Sequence, residues 1–267
     1  MDIEEELEMR IPIYQIDAFT NVQFKGNPAA VCPLEAWISD DLMQKIAAEN
    51  NLSETAFFVK KGHDYELRWF TPKGEIDLCG HATLATAYVI FTYLDNSIAK
   101  VKFHTISGVL EISKKGSLLS MIFPSREGVI CEIPEALING LGKKPIEVYK
   151  SRDYMAVFET EQDILNLELN MGELKKLDTF AVIATAKGNE ADFVSRFFAP
   201  KAGVDEDPVT GSAHCTLVPY WKNKLKKNEF VALQLSERGG KLYCADLGKM
   251  VKISGEATSY LEGYINV

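Results

Sequence analysis

The chain has 267 residues, 46% of them hydrophobic and 25% charged, which is typical of globular proteins and long enough for two domains. Its formal net charge of -9 argues against nucleic-acid binding, because affinity for phosphate backbones comes mostly from Lys and Arg. The longest apolar stretch, residues 85–91, is too short to span a bilayer, and no signal-peptide pattern is present. We therefore expect a cytoplasmic protein that binds neither nucleic acid nor membrane.

The first half of the chain alternates short strands with two helices. After an acidic extension over residues 1–10, the alternation of residues 11–19 predicts a strand. Ser39 followed by two Asp predicts the start of a helix that ends near Asn50. Further strands are predicted at 56–59 and 65–70. The almost wholly apolar segment 82–93 predicts a helix that is buried on all sides.

The second half repeats this theme after a linker predicted at 124–128. Pro219 falls inside its second predicted helix, which we expect to end early or to kink. Many short strands with one well-buried helix per half predict an α+β protein. We expect two domains related by pseudo-twofold symmetry, at 11–124 and 129–267, each a curved sheet around a central helix. The sequence leaves open whether the last strand returns to the first domain.

One sequence block occurs twice, about half the chain apart. The first copy is Arg68–Lys73 followed by Asp77–Thr83, and the second is Arg196–Lys201 followed by Asp205–Ala213. Near its end, each copy contains a glycine, Gly80 or Gly211, at the predicted entry to an apolar helix. Helix starts present unpaired backbone N–H groups and the positive end of the helix dipole. Two such starts that face each other would bind an anion in a cleft between them.

Glu54 is the first candidate for chemistry. It lies at the beginning of an apolar strand, where a carboxyl group loses hydration and its protonated form becomes accessible. Such a group can both give and take a proton. The alternative is a Glu that caps a helix or faces solvent.

His81 and Cys79 flank the first glycine of the repeated block. His81 could donate a hydrogen bond to an anionic ligand, or the helix dipole could keep it neutral, or it could be a simple polar cap. The helix start would lower the pKa of the Cys79 thiol and make it a nucleophile or base, whereas buried, inert cysteines are the commoner case.

The segment Asp207–Ser212 places a carboxylate, a proline and a Gly-Ser helix entry close together. Asp207 could orient an ammonium or hydroxyl group, while Ser212 and backbone N–H groups bind a carboxylate. The alternative is a turn before a capped helix.

No bound cofactor or metal is indicated by the sequence. It contains no dinucleotide-binding glycine pattern and no P-loop. The cysteines are odd in number and lack CxxC spacing, which argues against a disulfide framework or a zinc site; they are Cys32, Cys79, Cys131, Cys215 and Cys244.

Several motifs, in the same order over about 200 residues, resemble the PhzF family of phenazine-biosynthesis-like isomerases. They are Tyr14–Phe19, Gly26–Val31, Asn51–Phe57, Cys79–Thr83 and Glu206–Ala213. The resemblance implies a diaminopimelate epimerase-like fold with the active site between two similar domains. It also implies cofactor-free and metal-free proton transfer in a homodimer that acts on a small anionic metabolite.

By position, the resemblance makes Glu54 the general acid/base, with His81, Asp207 and Ser212 as its partners around the substrate. Gly80, Gly211, Cys79 and Thr210 lie beside them as candidate substrate-binding residues. Related epimerases use a cysteine at each helix entry, and here Thr210 occupies the second of those positions. This disfavours a racemase with two thiols and favours a double-bond shift or tautomerisation by a single carboxyl group. A racemase or epimerase that uses Cys79 with another base and a non-catalytic ligand-binding protein remain alternatives.

Overall fold

The computed structural model of the protein describes residues 9–267. The predicted acidic extension lies outside the described residues up to residue 8, and Arg10 already begins the first strand. Within 9–267, every helix is too short or too polar to cross a membrane.

The structure alternates strands with short helices, in agreement with the predicted α+β class. The first elements are β1 (Arg10–Ala18), β2 (Asn27–Leu34), α1 (Asp40–Asn50), β3 (Glu54–Lys61), β4 (Asp64–Thr71), β5 (Gly74–Ile76), α2 (Gly80–Val89), β6 (Lys100–Thr105), β7 (Gly108–Lys115) and β8 (Leu118–Pro124). The next are β9 (Val129–Ile130), α3 (Glu135–Leu141), β10 (Glu147–Lys150), β11 (Tyr154–Val157), α4 (Glu161–Leu165), α5 (Met171–Leu174), β12 (Val182–Lys187) and β13 (Phe193–Phe198). The last are α6 (His214–Leu225), β14 (Glu229–Gln234), β15 (Gly240–Asp246), β16 (Met250–Gly255) and β17 (Ala257–Asn266).

The chain divides into two compact units. Unit 1 comprises the described residues up to Gln23, Pro28–Leu119 and Ala257–Val267, so that β17 belongs to it. Unit 2 comprises Phe24–Asn27 and Ser120–Glu256. The sequence placed the division at a linker over 124–128, whereas here it falls inside β8.

In unit 1, strands surround the apolar helix α2. β2 and β3 are parallel, β3 and β4 antiparallel, and β17 pairs antiparallel with β1. Phe57 of β3 packs with Met43 of α1 in one apolar cluster, so alternate residues of β3 face α1. Glu54 is three residues from Phe57 along the strand, so its side chain lies on the opposite face of β3. Helix α2 also contacts β3.

Helix α1 begins where the sequence predicted. The Ser39 side chain accepts a hydrogen bond from the Leu42 N–H, and Asp40 and Asp41 occupy the first turn. Helix α2 is followed by a π-helical turn, Ile90–Leu94. The burial on all sides that was predicted for residues 82–93 is wrong beyond Phe91, because Thr92 and Tyr93 are exposed.

In unit 2, α6 packs against β15 and β16 of an extended sheet. The strands β10 and β11 form an antiparallel pair around the turn at residues 151–153, and β11 continues the sheet parallel to β12. A short 3-10 turn, Gly211–Ala213, leads directly into α6.

The predicted early end at Pro219 is wrong, because α6 continues to Leu225. A proline has no N–H for the carbonyl four residues earlier, which here belongs to Cys215. That carbonyl instead accepts the backbone N–H of Arg126 at 2.9 Å. A residue from the predicted linker thus replaces the missing helical hydrogen bond.

Candidate active site

Unit 1 places three of the predicted site residues in one buried cluster. The His81 ring lies between the other two, with Nε2 at 3.0 Å from Glu54 Oε2 and Nδ1 at 3.5 Å from Cys79 Sγ. The side chains of Glu54 and His81 are 15% and 7% exposed, so the pair is largely removed from water. An ion pair in such surroundings is held more strongly than at the surface.

The elements of unit 1 explain this position. Glu54 is the first residue of β3 and points to the α2 side of that strand, while His81 occupies the first turn of α2. Cys79 precedes the helix in an extended conformation, and the start of α2 has no side-chain cap among the described residues. The Thr83 backbone N–H and hydroxyl both donate to the Cys79 carbonyl, which fixes the turn.

Electrostatics assigns the charge in this cluster to the imidazole. Burial lowers the pKa of His81, but negative charge on Cys79 and Glu54 outweighs burial and raises its pKa well above the ordinary value. Of the alternatives for His81, the structure therefore favours a charged hydrogen-bond donor over a neutral ring.

Of the two alternatives for Cys79, the structure favours the buried, inert thiol. Burial, and next the charge of Glu54, raise the pKa of this thiol to about 11, and His81 offsets them only in part. The helix start cannot compensate for the lost hydration of a thiolate. Cys79 is therefore a buried thiol beside the imidazole.

The same three side chains form a set of donors that a metal ion could use. Their ligand atoms all lie within 4.8 Å of one another. Cysteine, histidine and carboxylate ligands suit Zn²⁺, but binding would require His81 and Cys79 to lose their protons. It would also occupy the carboxylate of Glu54.

Unit 2 places Asp207 in a separate hydrogen-bond network. Asp207 Oδ2 accepts a hydrogen bond from the Thr210 hydroxyl, and Asp207 Oδ1 accepts one from Asn27 Nδ2 at 2.8 Å. The Gln234 side chain accepts a hydrogen bond from the Thr210 backbone N–H at 2.8 Å and donates one to the Asp207 carbonyl at 2.7 Å. Two side-chain donors thereby orient the carboxylate.

Other predicted residues of unit 2 lie at the entry to α6. Gly211 is buried and opens the 3-10 turn, while Ser212 contacts Arg152, with 3.4 Å between Arg152 Nη2 and Ser212 Oγ. Ser212 shows no hydrogen bond to Asp207 or Thr210 among the residues described. In unit 1, Gly80 opens α2 in the corresponding way.

Sequence reasoning missed Asn27, Gln234 and Arg152 as site residues. Asn27 belongs to one of the motifs that carry the family resemblance, and its two donor contacts, to Asp207 and to the Val209 carbonyl, explain that motif. Gln234 and Arg152 gave no signal, because each reaches the segment before α6 from a distant part of the sequence, which spacing does not reveal.

Comparison with known proteins identifies the group to which this fold and these residues belong. An uncharacterized isomerase of Pseudomonas aeruginosa is 48% identical over 259 residues, covering 97% of this chain and all of that protein. The crystal structure of a PhzF-family phenazine biosynthesis protein of Enterococcus faecalis superposes with a TM-score of 0.95 at 45% identity, covering 97% of this chain and 100% of that one.

A hydroxyproline epimerase of Agrobacterium vitis, at 8% identity and a TM-score of 0.61, covering 97% of this chain and 93% of that one, shares the fold alone. The predicted epimerase-like fold is thereby confirmed. The family model of phenazine biosynthesis-like proteins matches residues 16–263. The chain therefore belongs to the PhzC-PhzF family of phenazine biosynthesis-like proteins.

Proposed function

We propose that this protein is an isomerase that moves a proton between two positions of a small carboxylate-bearing metabolite, with Glu54 as the acid/base. The observation that carries the proposal is the buried contact of 3.0 Å between Glu54 and His81. A relative that is 48% identical is named an isomerase, which supports the reaction class.

The proposed chemistry needs only side chains of this chain. The Glu54 carboxylate accepts a proton from a carbon of the substrate, and the electron pair of that C–H bond shifts into the substrate's π system. Glu54 then returns the proton to a second carbon on the same face, which moves a double bond. The charged His81 holds the carboxylate in place through both steps. We further propose that Asp207, Thr210 and Ser212 of unit 2 are polar groups that bind a ligand.

The alternative racemase that relies on Cys79 finds less support. A thiol with a pKa near 11 is almost entirely protonated at neutral pH, so it is a poor base. Thr210 occupies the position of the second thiol, and its hydroxyl is already bound to Asp207. One carboxyl group accounts for proton transfer better than this thiol.

The test is solvent exchange. The protein is incubated in D₂O with a panel of small amino and hydroxy acids, and deuterium incorporation is measured by NMR and mass spectrometry. For any compound that exchanges, Glu54→Gln should lower kcat by about a hundredfold or more with little change in KM, because the amide keeps the shape but cannot carry the proton. The exposed Glu127 supplies the matched control, Glu127→Gln.

A deuterium-labelled substrate tests whether one carboxyl group carries the proton between the two carbons. Part of a deuterium label on the donor carbon should reappear on the acceptor carbon of the product. A Glu54→Gln variant that isomerises at the wild-type rate would refute the proposal. Saturable binding without exchange of any bound compound would instead favour a ligand-binding protein.

A further inference from the structure

The turn between β10 and β11 holds an arginine against a predicted substrate-binding residue. Arg152 Nη2 is 3.4 Å from Ser212 Oγ, while Arg152 Nε and Nη2 bind the Asp153 carboxylate at 2.7–3.1 Å. Asp153 is only 2% exposed, whereas the Arg152 side chain is 35% exposed. One edge of the guanidinium is therefore anchored by a buried charge and another part remains accessible.

The turn itself is fixed on several sides. The Ser151 N–H donates to the Asp153 carbonyl at 3.0 Å, and the Ser151 hydroxyl is 3.3 Å from that of Thr216 in α6. The Thr179 hydroxyl donates to the Arg152 carbonyl at 3.1 Å. Because these bonds hold the backbone of the turn beside α6, the contact between Arg152 and Ser212 does not depend on the arginine side chain alone.

A second arginine lies in the same region of unit 2. The backbone of Arg126 bonds to the Cys215 carbonyl, and its Nη1 atom is buried without a hydrogen-bond partner among residues 9–267. Burial raises the pKa of the Cys215 thiol to about 11, while the charges of Arg126 and Arg152 both lower it. Both guanidinium groups therefore act on one thiol at the start of α6, where Asp153 offsets only one of the two positive charges.

We propose that Arg152 is a substrate-binding residue that binds the carboxylate of the substrate together with the Ser212 hydroxyl. The Nη1 group of Arg152 makes no hydrogen bond within the described part of the chain, so donors remain for a ligand. A guanidinium offers several N–H donors in a rigid plane and can bridge two carboxylates, here Asp153 and the ligand. This inference rests on the proposed function for its substrate class, and it assigns the recognition of the acid group to a named side chain.

The experiment measures binding of malonate to the full chain by calorimetry, with malonamide as the neutral probe and inorganic phosphate as the tetrahedral anion. Arg152→Gln would leave the buried Asp153 unpaired and could unfold the protein. The test variants are therefore Arg152→Lys, which keeps the charge but cannot bind Asp153 and a ligand in the same plane, and Ser212→Ala, which leaves the ion pair intact. Arg68→Lys is the matched control, because Arg68 binds Glu75 through two nitrogens and is similarly exposed.

Malonate should bind the wild-type protein saturably and more tightly than phosphate, and malonamide should not bind. Arg152→Lys should lower the affinity for malonate by about tenfold and Ser212→Ala by about threefold. Arg68→Lys should leave this affinity unchanged. Equal malonate affinity in wild type and Arg152→Lys, no malonate binding at all, or tighter phosphate binding would each overturn the inference. In that case Arg152 only neutralises Asp153.

The Glu54→Gln variant separates this inference from the proposed function. It should bind malonate as the wild type does, because Arg152 and Ser212 are unchanged. If no compound exchanges with solvent but malonate binding depends on Arg152, the proposed isomerase fails and the carboxylate site stands. If solvent exchange depends on Glu54 but malonate affinity is the same in wild type and Arg152→Lys, the proposed isomerase stands and the carboxylate site fails.

Discussion

At the scale of single residues, the charge of His81 depends on the two side chains beside its ring, Cys79 and Glu54. His81 is buried, so without a negative partner its neutral form would be favoured. Cys79 and, next, Glu54 at 3.0 Å act against burial and raise the pKa of the imidazole. The carboxylate is consequently kept next to a proton donor, an arrangement suited to a group that takes up and returns a proton.

Glu54→Gln should therefore lower the pKa of His81, because one of the two neighbours that oppose the effect of burial is lost. An NMR titration of the His81 ring in both proteins measures this. The raised pKa also means that the pair stabilises the folded state most below about pH 6.5 and that this contribution is lost as the pH rises through the folded pKa. The difference in unfolding free energy between the two proteins should shrink accordingly at alkaline pH. An unchanged His81 titration in the variant would show that Glu54 does not set the charge.

Cys79 should behave as a structural thiol. Its burial and its pKa of about 11 predict slow alkylation by iodoacetamide near neutral pH, slower than that of the more accessible Cys131. Cys79→Ala should keep most of the activity. Peptide mass spectrometry gives the order of labelling, and rapid labelling of Cys79 that abolishes turnover would contradict this assignment.

At the scale of elements, Pro219 shows how tertiary structure overrides a local rule. The proline removes one hydrogen bond from α6, and the Arg126 backbone restores it from outside the helix. An interior proline costs about 3 kcal/mol relative to alanine in an isolated helix. Here part of that cost is already offset, so Pro219→Ala should stabilise the protein by less than about 1 kcal/mol.

Hydrogen exchange provides the direct measurement for this element. The Arg126 amide should be protected in the wild type and less protected in Pro219→Ala, because the new N–H of residue 219 competes for the Cys215 carbonyl. Two results would contradict the replacement of the helical hydrogen bond by the Arg126 N–H. One is an Arg126 amide that exchanges freely in the wild type, and the other is a gain of about 3 kcal/mol in unfolding free energy in Pro219→Ala.

The elements also show which features the sequence could reveal. The local sequence was sufficient to predict α1, whose start is fixed by Ser39, and the helix entry that carries His81. It was insufficient for Cys79, because the pKa of a thiol depends on burial and on Glu54, which lies far away along the chain. It was also insufficient for Gln234 and Arg152, whose roles arise only when β14 and the turn after β10 are brought beside the entry to α6.

For the molecule as a whole, the buried histidine of α6 makes stability depend on pH. His214 is 0% exposed, and its Nδ1–H donates to the Thr210 carbonyl at 3.0 Å. Burial is the main cause that lowers its pKa to about 4, despite hydrogen bonds that act in the opposite direction. The unfolded chain, in which a histidine titrates near 6.5, therefore binds more protons than the folded protein between these two values.

His214 should make the free energy of unfolding fall as the pH drops from about 6.5 towards 4, by about 3 kcal/mol over the whole interval. Above pH 6.5 the contribution is fully present. His214→Asn keeps a donor for the Thr210 carbonyl but does not titrate, so urea unfolding at a series of pH values should give a shallower acid slope for this variant. His63→Asn, at an exposed histidine, should keep the wild-type slope. Parallel curves for His214→Asn and the wild type would show that His214 is protonated in the folded protein already near neutral pH.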